Sequence, residues 1–191
     1  MKKILLTIFT AFISLQMFAQ FNVNASYLNS TYRYGEDGYS YKLNGNGASV
    51  GVNTDIYSTN FGDFSFSPGI YFDMIDYEAF DGINVIEYYL RAPLHVKYTY
   101  NYDHRLDFFV SAGPSVTCTL GSKSSVKYEG FSMTESEKGG DFDLMFGLEG
   151  GVNLSNTIRL FCGYDFGVIN QGDANYKIKR NILHLGIGYL F

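Results

Sequence analysis

Hydrophobic and polar residues alternate along most of this chain. The alternation has a period of two and runs through eight segments, which are separated by clusters of Gly, Asn, Asp and Ser. In one segment Phe64, Phe66 and Phe72 fall on one face, while Ser65 and Ser67 fall on the other. Such a pattern predicts β-strands with one apolar face, joined by turns. The predicted strands are 21–33, 47–58, 64–77, 86–100, 106–120, 141–154, 158–169 and 181–191.

The polar face of these strands favours a closed barrel over a soluble β-sandwich. It is rich in Gly, Ser and Thr and carries a few charges of both signs, which suits a narrow interior where charges must pair. A sandwich or a soluble lipocalin-like carrier is the alternative. Each segment covers, with some overhang, the about 9–11 residues that a tilted strand needs to cross a bilayer. The sequence therefore predicts an all-β fold, namely an eight-stranded antiparallel up-and-down transmembrane β-barrel.

The connections between the predicted strands alternate in length. Three are short, at 59–63, 101–105 and 155–157; three are long, at 34–46, 121–140 and 170–180; the connection 78–85 is intermediate. Outer-membrane barrels have short periplasmic turns and longer external loops. We therefore expect both ends of the barrel on the periplasmic side.

The first residues have the pattern of an export signal. Two lysines precede an apolar stretch at 4–18, which is followed by the small residue Ala19. We expect 1–19 to be a signal peptide that is cleaved on export, and 20–191 to form the outer-membrane barrel domain. An uncleaved N-terminal anchor is the alternative. The predicted location is the outer membrane of a Gram-negative bacterium.

Composition agrees with this address. Apolar residues make up 46% of the chain, and Asp and Glu outnumber Lys and Arg by 19 to 14. The mean hydropathy of −0.05 is too polar for a helical membrane protein. An acidic chain without a basic stripe has no electrostatic reason to bind nucleic acid, so we expect no nucleic-acid partner.

The C-terminal strand ends on an aromatic residue. Leu185, Ile187, Tyr189 and Phe191 share one face, which resembles the signal that the outer-membrane insertion machinery reads. The expected partners of the chain are therefore outer-membrane lipid and this machinery.

Several stretches resemble the PorT-like outer-membrane β-barrel family of Bacteroidota. The most specific is 89–98, which reads Tyr-Leu-Arg-Ala-Pro-Leu-His-Val-Lys-Tyr and departs from the family pattern at Arg91 and His95. The other stretches are 51–57, 64–71, 109–114 and 163–170. The resemblance implies a fold and a compartment, and it implies no reaction.

Charged residues on the polar face are the candidate site. They are Asp73, Arg91, His95, Lys97, Asp143, Glu149, Arg159 and Asp165. An eight-stranded barrel is just wide enough for side chains to fill it, so we expect an ion-pair network that packs the lumen. A narrow polar conduit or a binding cup is the alternative.

Catalytic and metal-binding patterns are weak. No serine lies in a nucleophile elbow, and His95 and His184 lack the neighbouring ligands of a metal site. We expect no enzyme activity and no cofactor. Cys118 and Cys162 fall on apolar faces with one strand between them, which is too far for a disulfide, and we expect two free thiols.

Three functions remain open. The first is a non-enzymatic barrel with a structural or surface-binding role, for example as part of a secretion or uptake complex. Its contact to a protein partner would be the external loop 121–140. The second is a small porin-like pore or solute-binding channel. The third is a membrane-embedded hydrolase or acyl transferase.

Overall fold

Nine β-strands make up most of the part of the chain that the structure describes. The computed structural model describes residues 19–36, 39–57, 63–80, 83–103, 105–128, 131–172 and 177–191. The strands are β1 (Ala19–Glu36), β2 (Tyr39–Tyr57), β3 (Phe64–Phe80), β4 (Ile83–Asp103), β5 (Leu106–Tyr128), β6 (Phe131–Lys138), β7 (Phe142–Leu154), β8 (Ile158–Gly167) and β9 (Lys177–Leu190). Apart from Ala19, which begins β1, the predicted signal peptide lies outside the described residues. These residues contain no helix that could span a membrane.

Eight of the strands close into a ring. Their order is β4-β3-β2-β1-β9-β8-β7-β5, and β5 pairs with β4 to complete the circle. All the pairings are antiparallel, and the first and last strands of the ring are neighbours. The predicted eight-stranded up-and-down barrel is confirmed.

Strand β6, which lies outside the ring, corrects the prediction of an external loop at 121–140. Strand β5 continues to Tyr128, and β6 folds back along its upper part, from Gly121 opposite Lys138 to Tyr128 opposite Phe131. The β1–β2 hairpin is also longer than predicted, because most of 34–46 is strand. Both extensions lie beyond the apolar segments, where water wets both faces and the alternation that marks a membrane strand is absent.

Large apolar side chains cover the outside of the ring. Val50, Ile70, Val96 and Val110 are each 56% exposed, and they belong to four different strands. Such a continuous exposed surface is the lipid-facing belt of a membrane barrel. Its upper edge is marked by the outward polar residues Asn29, Asn46 and Asp76, which are direct cross-strand partners on β1, β2 and β3.

The two cysteines lie on different strands of this outer face. Cys118 on β5 and Cys162 on β8 are both free, and β7 separates their strands. The prediction of two free thiols is confirmed.

Candidate functional site: the charged lumen

Glycines make room for the large side chains that fill the barrel. Gly151 on β7 lies directly between Phe109 on β5 and Phe161 on β8. A Cβ added to Gly151 would lie 2.8 Å from the Phe109 ring. Gly51 stands in the same relation to Tyr71 on β3. Pairs of a large and a small inward residue on neighbouring strands let a narrow barrel hold aromatic rings.

The first charged cluster surrounds Asp55 in the lower half of the lumen, which is the half nearer to Phe21 and Phe191. This carboxylate is fully buried and accepts hydrogen bonds from Lys97 and from Arg159, the latter at 2.8 Å. The Ser67 hydroxyl and the Asn22 amide donate to it at 2.7 and 3.3 Å. One carboxylate is therefore shared by two buried cations, and the cluster fills the lower lumen with directly paired polar groups.

The second cluster is centred on Arg91 at mid-height. Its Nε donates to Asp73 at 2.7 Å and its Nη1 to Asp165 at 3.2 Å, and both carboxylates are fully buried. Its guanidinium also lies 4.9 Å from the centre of the Tyr71 ring. Arg91 thus bridges two strands on opposite sides of the ring and holds a stacked aromatic side chain.

Two histidines and Glu149 complete the central level. His184 Nδ1 lies 3.8 Å from Glu149 Oε2, and His184 Nε2 lies 3.9 Å from Asp165 Oδ2. His95 Nδ1 lies 3.4 Å from the Ser111 hydroxyl. A void of about 20 Å³ between these side chains has room for a single water molecule.

The third cluster lies above the apolar belt. Arg180 donates to Asp143 at 3.5 Å, and its guanidinium stacks 4.0 Å from the centre of the Tyr89 ring. The Tyr32 hydroxyl donates to Glu87 at 3.2 Å. Burial raises the pKa of Tyr32 well above its usual value, so this residue stays neutral and keeps its proton for the hydrogen bond.

The structure places all eight predicted polar-face residues inside the barrel. Seven are buried and Glu149 is half-buried. They divide among the three clusters, and the lower two clusters are linked through Asn53, Asn24 and the Tyr71 hydroxyl. Sequence reasoning missed Asp55 and Arg180, which centre two of the clusters. Asp55 has the inward parity of its predicted strand, and Arg180 was assigned to the loop 170–180.

Ser111 and His95 bring a nucleophile and a base together, as hydrolases require. However, Ser111 is only 3% exposed and points into the packed lumen. A substrate could reach this hydroxyl only after the central side chains moved. In the part of the chain that the structure describes, no three His, Cys, Asp or Glu side chains converge as metal ligands do.

A polar cup opens at the lower end of the barrel. Its volume is about 420 Å³, and its lining includes Tyr57, Asp63, Thr99, Asp107 and Asn153. The cup ends at the Asp55 cluster, since Asn153 also accepts a hydrogen bond from Arg159 at 2.9 Å. The lumen is thus open at its base and filled above it.

The residues of the predicted insertion signal lie on the outer face. Leu185, Ile187 and Tyr189 project outward from β9, and Phe191 follows the strand and is 73% exposed. Their role as a signal stays a prediction.

Comparison with known proteins finds a matching family model and solved structures of similar fold. The family model for the outer membrane protein beta-barrel domain matches residues 13–171. No curated protein sequence matches the chain. Among solved structures, the attachment invasion locus protein Ail of Yersinia pestis has a TM-score of 0.51 at 17% identity, over 91% of this chain and 99% of that one.

Two further structures are similar at low identity. The outer membrane enzyme PagL has a TM-score of 0.50 at 12% identity, over 87% of this chain and 98% of that one. Neisserial surface protein A has a TM-score of 0.47 at 16% identity, over 90% and 97%. At these identities the likeness concerns the fold alone.

Proposed function

Because the chain belongs to the outer membrane protein β-barrel domain family, we propose that it is a non-enzymatic outer-membrane protein that binds a protein partner through its β5–β6 hairpin. The observation that carries the proposal is the extra strand β6, which stands outside the ring. It pairs with β5 along one edge, and no described strand pairs with its other edge.

The hairpin forms a small sheet above the membrane. The upper part of β5 pairs with residues 83–88 of β4 along one edge and with β6 along its other edge. The side chains of residues 134–138 on β6 are exposed. A free strand edge offers unpaired N–H and C=O groups, which an extended segment of another protein can meet by adding a strand.

The PorT-like resemblance supports a finer proposal about the partner. Members of that family belong to Bacteroidota, and we propose that this chain serves there as a component of a secretion or uptake complex. The stretch 89–98 carries this resemblance. It lies in β4, whose residues 83–88 pair with β5 of the hairpin.

The hairpin proposal predicts the loss of a partner. We expect that replacing 121–140 by a Gly/Ser linker abolishes co-purification of the partner from solubilised outer membranes, because β6 and its edge are then gone. The control variant has 170–176 replaced by a Gly/Ser linker, and it should retain the partner. Equal capture by both variants, identified by mass spectrometry, would rule out the hairpin as the contact.

The filled lumen predicts an absence of ion conduction. In planar bilayers we expect no current above background from the parent protein, since the central void has room for about one water molecule. A variant with Tyr71→Ala and Phe161→Ala removes two rings that line this void and should conduct more than the parent. A steady current through the parent would favour the pore function instead.

The hydrolase alternative has less support. The Ser111 hydroxyl is enclosed in the packed lumen, and Ser111 does not belong to the lining of the polar cup. A covalent adduct with an acyl or phosphonate probe at Ser111 would reverse this conclusion.

A further inference from the structure

Three cations form a row across neighbouring strands above the apolar belt. Arg33 on β1 lies directly opposite Lys42 on β2 and directly opposite Lys179 on β9. All three side chains are exposed. They have the same parity as the outward residues Tyr27 and Leu183, so the row faces away from the lumen. Lys177, opposite Gly35, adds a fourth exposed cation two residues further up β9.

The described part of the chain does not neutralise this row. Like charges directly opposite each other destabilise a sheet, and the ion pairs of the described residues include none of the four cations. The outward acids nearest the row, Asp76 and Glu78, lie on β3 beyond the Lys42 end. In a chain with more acidic than basic residues, such an arrangement indicates an external anion that offsets the repulsion.

The height of the row fits the headgroup region. Arg33 follows Asn29, at the edge of the belt, by four residues, which places its backbone about 9 Å above that edge for a strand tilted by about 45°. The polar layer of a bilayer is about 5–8 Å thick on each side. Long Arg and Lys side chains bend back along the surface, and they bring their charges to the level of lipid phosphates.

The side chains between the belt and the row are uncharged hydrogen-bonding groups. Thr31 on β1, Asn44 on β2 and Asn181 on β9 lie one outward row below the cations, and Thr31 donates to Asn44 at 3.0 Å. Amides and hydroxyls next to cations suit a ligand that combines sugar hydroxyls with phosphates.

We propose that Lys42, Arg33 and Lys179, with Lys177, bind the phosphate groups of a phosphorylated glycolipid in the outer leaflet. The site is on the wall of the barrel, on strands β1, β2 and β9, and it does not depend on the hairpin function of β5 and β6. Its ligand is a lipid of the surrounding leaflet that stays bound around this side of the protein.

The test is a binding measurement with lipid A that carries two phosphates. The full barrel in micelles of an uncharged detergent is titrated with this lipid and followed by native mass spectrometry. A variant with Arg33→Gln, Lys42→Gln and Lys179→Gln should bind about 100-fold more weakly, since each cation near a charged surface contributes about fivefold to affinity. Lipid A without phosphates should bind the parent as weakly as it binds the variant.

A matched control removes three exposed cations elsewhere. Arg105→Gln, Lys123→Gln and Lys138→Gln together should leave lipid affinity unchanged. A gel that separates the compact unheated barrel from the heated chain shows that each variant is folded. Equal affinity of the row variant and the control variant would overturn the proposal. Inorganic phosphate that competes at the same concentration as the lipid would overturn the assignment to a lipid.

Discussion

Replacing Asp55 by Asn is expected to lower the free energy of unfolding by about 3–5 kcal/mol, the loss found when one partner of a buried ion pair is removed. The carboxylate is fully buried and contacts both Lys97 and Arg159. Asn keeps the shape but not the charge. Two cations with exposures of 1% and 2% then remain without a counter-ion in the lower lumen.

Urea unfolding in detergent micelles or lipid vesicles measures this loss. Asp63→Asn is the matched control, because Asp63 is exposed at the lower end of the barrel and belongs to none of the described ion pairs. Adding Lys97→Met to the Asp55→Asn variant removes one of the stranded charges and should restore part of the stability. An Asp55→Asn barrel as stable as the Asp63→Asn barrel would show that the cluster is not dry.

Two adjacent glycines on β7 are expected to differ strongly in how much stability the same substitution costs. Gly151→Val places a branched side chain against the Phe109 ring and against the backbone of β8. Both have to move, so we expect a loss of about 3 kcal/mol, at the upper end for over-packed interiors, or a failure to form the barrel.

Gly150→Val supplies the matched control at the next position. Gly150 faces lipid, and a Cβ there has no neighbour closer than the Phe109 carbonyl oxygen at 3.5 Å. Valine is favoured in strands and its side chain would extend the apolar belt, so stability should change by less than about 1 kcal/mol. The folded fraction of each variant on an unheated gel measures the difference. Equal losses at both positions would contradict the packing of rings over glycines.

Much of the barrel could be predicted from the sequence because the membrane imposes the alternation. Lipid requires apolar residues at every second position, and this parity placed all eight polar-face residues inside. Above the membrane no such constraint acts. The upper parts of β1, β2 and β5 and all of β6 were therefore predicted as loops, although their backbones continue the ladder.

The pairing of charges inside the lumen could not be predicted. Parity gives the face on which a side chain lies, but the partner it meets depends on the stagger of strands around the ring. Arg159 reaches Asp55, which is 104 positions away along the chain. Arg91 likewise joins carboxylates from β3 and β8. Arg180 could not be predicted as a lumen residue either, because β9 begins at Lys177, inside the segment 170–180 that has no alternation.

The pairing of β1 with β9 also determines when the barrel can close. The amide of Phe191, which follows β9, donates to the carbonyl of Phe21 at 2.9 Å, near the beginning of β1. Until that pairing forms, β1 and β9 each have a bare edge that lipid cannot satisfy. Strand-by-strand folding during synthesis therefore has no stable stopping point. We therefore expect the chain to reach the membrane unfolded, kept from aggregating with other copies, and to fold there in a single event.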